Sequence, residues 1–144
     1  NSPSLLKELG LKRGENRVCG TILAYPVISA DTYGRRGNFM GILGVDNPTV
    51  EEFDRYSVEK HVTADNVPSF IWHTFEDECV PVENSLIMAK ALRENSVPFE
   101  MHIFQKGVHG LALCNEITAT DNDRFIEPDN ECWLEMSVNW MKRQ

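Results

Sequence analysis

The chain is expected to fold as an α/β protein, with parallel strands flanked by helices. Three observations carry this expectation. Apolar runs of strand length recur along the sequence. A strongly amphipathic helix separates two of them. The connections are short, and strand–helix–strand with short connections implies right-handed βαβ units and a parallel sheet. With 144 residues the chain is long enough for one domain with its own core.

The first run, "NRVCGTILAYPVIS" (16–29), is continuously apolar and β-branched and ends at Pro26, the pattern of a strand buried on both faces. Cys19 within it reads as a buried thiol. "DTYGRRGNFMGILG" (31–44) is Gly-rich and mixed, and reads as an excursion out of the sheet. "NPTVEEFDRYS" (47–57) carries a helix start: Asn47 or Thr49 as cap, Pro48, then Glu51 and Glu52 in the first turn. "SVEKHV" (57–62) extends that helix or opens a second short one.

"PSFIWHTF" (68–75) is the second strand. "VENSLIMAKALREN" (82–95) is the clearest helix, with Leu86, Ala89 and Leu92 at helical spacing, Ile87 and Ala91 widening the stripe, and Lys90, Arg93 and Glu94 opposite. "SVP" (96–98) ends it, since a residue before proline is pushed out of the helix. "FEMHIFQK" (99–106) alternates as a third strand. The segment 114–131 is acidic and without period, and reads as a loop. It is placed to act as a lid, to make an oligomer contact, or simply to move. "CWLEMSVNWMKRQ" (132–144) is a terminal helix with Trp133, Met136 and Trp140 on one stripe, which suits packing better than a sugar platform.

Composition narrows the partners. A net charge of -8 argues against nucleic acid, which calls for a basic stripe. There is no basic amphipathic segment for an anionic membrane, and no apolar run near the roughly 20 residues that span a bilayer. "NSPSLLKELG" has neither the charged nor the apolar region of a signal peptide, and it lacks an initiator Met. The four cysteines form no CxxC pair and no zinc spacing. Free thiols in a reducing, cytoplasmic setting are the expectation, with Cys114–Cys132 the alternative pairing. The cysteine spacing calls for no zinc site.

In open α/β sheets, sites form beyond the C-terminal ends of the strands. Two polar clusters stand there: Glu76-Asp77-Glu78 after the second strand and His109 after the third. An Asp bonded to a His fixes its tautomer and stabilises the imidazolium, the acid–base part of a nucleophilic triad. "DECVP" is D-x-x-V-P, and "GVHG" brackets the His with glycines that permit a tight turn. Set in order with the intervening helix and strand, these motifs resemble the C-terminal half of an α/β-hydrolase. The run "PSFIWHTFEDECVPVENSLIMAKALRENSVPFEMHIFQKGVHGLAL" is similar to acetyl esterase/lipase-like members, a group that includes acetylxylan esterases and sugar-ester hydrolases. "LAYPVIS" and "SVEKHVTADNVPSF" extend the likeness over nearly the whole chain.

The resemblance implies Asp77 as triad acid, with Glu76 as the alternative carboxylate, and His109 as general base. It implies a small acyl ester as substrate and no cofactor. The family's Ser nucleophile, in G-x-S-x-G, precedes both residues in chain order, and no serine of this chain sits in that frame. The expectation is therefore that residues 1–144 are the C-terminal half of one domain. A preceding half would supply the nucleophile and oxyanion hole, and "NSPSLLKELG" would follow the nucleophile helix. The segment 31–67 would form a cap or pocket insertion. Within it, Tyr33, Phe39 and Met40 are expected as apolar wall, with Arg35 or Arg36 facing polar substrate. His73 and His102 read as packed structural residues, and His61 as a surface or rim residue. Prolyl oligopeptidase-type peptidases share the same frame, as do dienelactone hydrolases with an upstream Cys. A hydrolase-like scaffold turned to binding is the non-catalytic alternative.

Overall fold

A computed structural model of the protein describes residues 3–12, 14–15, 17–31, 33–34, 40–41, 44, 48–120 and 122–144. Three parallel strands form one sheet in the order β1 (Thr21–Ala24), β2 (Ser69–Thr74), β3 (Phe99–Phe104). The register aligns Thr21 with Ser69 and Ser69 with Phe99, so the C-terminal ends of all three strands lie on one side. Every residue of β2 is buried, as its unbroken run demands of a central strand.

The helices divide between the two faces. Along β2, Ile71 points to one face and packs in a cluster with Ile28, Val62, Met88, Ala89, Leu92 and Val97 under α3 (Glu83–Glu94). Phe70 and Trp72 point to the other face and pack with Leu111, Cys114 and Trp140 under α5 (Cys132–Met141). This is period-two alternation feeding two cores. Trp133 stacks on Trp72 with centroids 4.8 Å apart, so both tryptophans of α5 serve packing.

Ahead of the sheet stands α1 (Pro3–Glu8). Between β1 and β2 lies α2 (Val50–Tyr56), followed by a separate short 3-10 turn at Val58–His61. Thr49 is the cap. Its hydroxyl accepts from Glu52 N–H, and the Glu52 carboxylate accepts from Thr49 N–H, a reciprocal capping box. The alternative cap Asn47 lies outside the described residues.

Four expectations are corrected. The first strand is short and half-exposed rather than buried on both faces. Among the described residues it pairs only with β2, and Ile22 remains 37% exposed. Cys19, just before it, is exposed for the same reason, and all four cysteines are free thiols. Leu86 is 46% exposed, because α3 turns Asn84 and Ser85 inward instead. Both polar side chains are fully buried and fully engaged. Asn84 accepts from Ile28 and Ser29 N–H and donates to the Tyr33 and Pro81 carbonyls, and Ser85 bonds His73. Buried polar groups that find such partners fix the rotation of the helix.

The fourth correction concerns 114–131, which is organised rather than structureless. Asn115 caps α4 (Glu116–Ala119), Asn122 caps a 3-10 turn at Asp123–Phe125, and a second such turn spans Pro128–Asn130. Glu127 N–H donates to the Cys114 carbonyl and closes the base of the loop. Asx caps carry no hydrophobic period, which is why pattern reading misses them.

Candidate active site

Of the three consecutive acids, only Asp77 is buried; Glu76 and Glu78 are exposed. The reason is local. Asp77 follows β2 in a tight turn, and its short side chain reaches back so that Oδ1 accepts from Cys79 N–H (2.9 Å) and Val80 N–H (2.8 Å). This is an Asx-type closure of the turn that a longer glutamate would not fit. Val80 is buried and Pro81 leads into α3. The other oxygen, Oδ2, lies 2.7 Å from His109 Nδ1.

A buried carboxylate can only accept, so His109 Nδ1 carries the proton and Nε2 is left as the basic nitrogen. No described residue bonds Nε2. The Asp77 side chain is fully buried, whereas that of His109 is 32% exposed. The pair thus has an anchored inner member and an outer member open at its reactive edge.

The His109 loop is held from below. Thr74 Oγ1 donates to the Gly107 carbonyl at 2.7 Å, Glu76 accepts weakly from Gly107 N–H at 3.4 Å, and Asn130 donates to the Lys106 carbonyl at 2.8 Å. Gly107 sits at φ +127, and a Cβ there would lie 2.5 Å from the Leu111 side chain, so this glycine is required by packing as well as by conformation. Glu76 therefore braces the loop, and Asp77 is the carboxylate that meets the imidazole.

Tyr25 was not foreseen as a site residue. It is the first residue past β1, held by a hydrogen bond from its N–H to the Trp72 carbonyl (2.8 Å), with φ at +37. Its ring meets His109 edge-on at 5.0 Å and Trp72 edge-on at 5.1 Å. A non-glycine residue in the left-handed region stores strain, and such residues cluster at functional sites. The available signal was its position, at the strand end where the crevice opens.

Other expected residues lie elsewhere. Tyr33 lines a cavity of about 240 Å³ with Ser29, Glu59, Ile87, Lys90, Ala91 and Glu94, a lining that includes neither Asp77 nor His109. Met40 is half-buried, and Arg35, Arg36 and Phe39 lie outside the described residues. His61 is on the surface, its Nε2 2.9 Å from the Asp54 carbonyl, and His102 packs on Phe70 and pairs with Glu100. His73 is buried and hydrogen-bonded through both ring nitrogens, as a structural histidine is expected to be. Cys114 is buried and its thiol is pushed up to about 11, chiefly by burial, which leaves it unreactive as a nucleophile. Among the described residues no three His, Cys, Asp or Glu side chains gather as a metal site would require, and no helix is long and apolar enough to cross a membrane.

Parallel strands with helices on both faces, an acid after one strand and a Gly-flanked His after the next define part of an α/β-hydrolase fold. The chain belongs to the prolyl oligopeptidase family, whose profile matches residues 22–125. Over 97 residues it is 46% identical to endo-1,4-beta-xylanase B of Butyrivibrio fibrisolvens, covering 67% of this chain and 15% of that protein. Among solved structures it resembles the carboxylesterase Cest-2923 of Lactobacillus plantarum (TM-score 0.81, 26% identity, 99% of this chain and 50% of that one). It also resembles a sugar hydrolase of Lactococcus lactis (TM-score 0.79, 36% identity, 97% and 54%). A third likeness is to an acetyl ester-xyloside bifunctional hydrolase of Caldicellulosiruptor lactoaceticus (TM-score 0.75, 36% identity, 88% and 43%). The chain spans about half the length of these solved structures.

Proposed function

We propose that this chain contributes the acid and base of a Ser-Asp-His esterase that cleaves small acyl esters, with acetylated sugars or xylan fragments as the substrate class. The observation that carries the reading is the 2.7 Å contact between His109 Nδ1 and the buried Asp77 carboxylate. The nucleophilic Ser and the oxyanion hole would lie in sequence preceding Asn1 in the natural protein, the place such a fold gives them.

In this mechanism the Ser hydroxyl attacks the ester carbonyl while His109 Nε2 takes its proton. Asp77 holds the imidazole in the required tautomer and stabilises the positive charge it acquires. Backbone N–H groups stabilise the tetrahedral oxyanion. The imidazolium then returns its proton to the leaving alcohol, and an acyl-enzyme remains for water to hydrolyse by the same steps. The likeness to a sugar hydrolase and to an acetyl ester-xyloside hydrolase, both at 36% identity, supports the sugar-ester class.

A second reading, peptide hydrolysis, is favoured by the family profile itself. Assaying the natural protein on p-nitrophenyl acetate and acetylated xylo-oligosaccharides beside a proline-containing peptide separates the two. The esterase reading expects turnover of the acetyl substrates, lost in His109→Ala. Full activity in His109→Ala would refute it, and turnover of the peptide alone would favour the second reading.

A further inference from the structure

Beneath the Asp77 turn runs a chain of hydrogen bonds that the mechanism above does not use. His73, the fifth residue of β2, is fully buried. Its Nε2 lies 2.9 Å from the Val80 carbonyl and 3.3 Å from Asp77 Oδ2. Both of these oxygens only accept, so Nε2 carries the ring proton; it is bonded to the Val80 carbonyl and lies within ion-pair distance of Asp77 Oδ2. Nδ1 is then a bare acceptor, and the Ser85 hydroxyl, 2.8 Å away and itself fully buried in the first turn of α3, donates to it. Burial pushes the His73 pKa below its ordinary value, against the opposing pull of the Val80 carbonyl and Asp77, so the ring stays neutral at pH 7.

Asp77 Oδ2 therefore stands between two imidazoles. One is the outer His109. The other is inner and neutral, its proton kept on Nε2 by two oxygens that only accept. The Val80 carbonyl held by His73 belongs to the same turn whose N–H groups hold Asp77 Oδ1. The inner ring thus fixes both the carboxylate and the backbone that carries it.

We propose that His73 is a positioning residue for Asp77: its Nε2–H, bonded to the Val80 carbonyl and close to Oδ2, holds the turn and the oxygen that His109 uses, while the Ser85 hydroxyl satisfies Nδ1. This rests on the reading of Asp77 and His109 as triad acid and base. Neither His73 nor Ser85 touches substrate.

The test compares His73→Gln with His73→Asn in the natural protein. A Gln amide nitrogen reaches close to where Nε2 sits; an Asn amide reaches only as far as Nδ1. Both remove the ring, so the loss of packing is common to them. His73→Gln should lower kcat by about tenfold or less. His73→Asn, which leaves Asp77 free to shift, should lower it by about 10²-fold with KM unchanged. Ser85→Ala should keep the Nε2–H tautomer of His73 by ¹⁵N NMR, because the Val80 carbonyl and Asp77 still face Nε2, and should lower kcat less than His73→Asn does.

Two readouts do not depend on which substrate is cleaved. In the wild type, the ¹⁵N shifts of His73 should report the neutral Nε2–H form. The downfield Nδ1–H proton of His109 should persist in His73→Gln and vanish in His73→Asn. Equal kinetic losses in the two variants that track a common fall in Tm would overturn the proposal, as would an Nδ1–H tautomer of His73. Should the wild type cleave neither ester nor peptide, the functional reading fails on its own, and the NMR signals still decide this one. Should His73→Asn not fold, the wild-type tautomer and the His109 Nδ1–H signal in His73→Gln decide it.

Discussion

Replacing Asp77 by Asn exchanges one oxygen for an amide group and leaves the shape of the side chain almost unchanged. Two backbone donors, Cys79 N–H and Val80 N–H, fix which atom goes where. The Asn carbonyl oxygen must take the Oδ1 position, because an NH₂ there would face two N–H groups with nothing to accept. The amide nitrogen then falls at Oδ2, 2.7 Å from His109 Nδ1, and also faces the His73 N–H. A donor opposite Nδ1–H forces His109 into the other tautomer, with its proton on the nitrogen that must act as base. In a triad of this kind the exchange lowers kcat about 10⁴-fold. By transition-state arithmetic that is roughly 5 kcal/mol of lost stabilisation. Folding should suffer less, by about 1–3 kcal/mol for bonds weakened or left unmade in the buried turn. The assay is p-nitrophenyl acetate hydrolysis by the natural protein carrying Asp77→Asn, with urea denaturation alongside. A kcat within tenfold of wild type would refute the assignment of Asp77, while Glu76→Gln should cost far less because Glu76 only braces Gly107.

Three further outcomes follow from the geometry. Gly107→Ala should destabilise by about 1–3 kcal/mol from backbone strain and by a similar amount from overpacking against Leu111, Thr74 and Asn130. Gly110→Ala meets nothing within 4 Å and should show the strain alone, so equal losses in denaturant titrations would contradict the packing account. Under native conditions at pH 8, a thiol reagent should modify exposed Cys132 quickly and Cys114 only after unfolding, since with a pKa of about 11 roughly one Cys114 in a thousand is thiolate. His73 has a folded pKa below its unfolded value of about 6.5, so its contribution to stability is present above that pH and is lost as pH falls through the folded pKa. The natural protein should therefore lose stability as pH falls below about 6.5, with a slope from this group of at most about 1.4 kcal/mol per pH unit. His73→Gln should flatten that slope, and an unchanged slope would show that His73 protonates freely in the fold.

The elements built on continuous apolar runs or strong periodicity were legible in the sequence, and so was the meeting of Asp77 with His109. β2 reads directly from "SFIWHT", and D-x-x-V-P with G-x-H-G places Asp77 and His109 at neighbouring strand ends. The rotation of α3 was not legible. A hydrophobic stripe suggests Leu86 inside, but Asn84 and Ser85 go in because distant groups, Ile28 N–H and His73, satisfy them. Local periodicity carries no record of partners 12 to 56 residues away. The bracing of the His109 loop by Thr74 and Asn130 was hidden for the same reason. Tyr25 looks like any aromatic in an apolar run until the sheet sets it against His109. The loop 114–131 owes its order to single Asn caps, which a search for period passes over.

Labelling the natural protein with a fluorophosphonate and locating the adduct by mass spectrometry bears most directly on whether Asp77 and His109 serve a serine nucleophile. The account predicts one adduct, on a serine outside these 144 residues, that is strongly reduced in His109→Ala. An adduct that forms equally well in His109→Ala, or none at all, would mean that this carboxylate and imidazole share a proton for some purpose other than activating a serine.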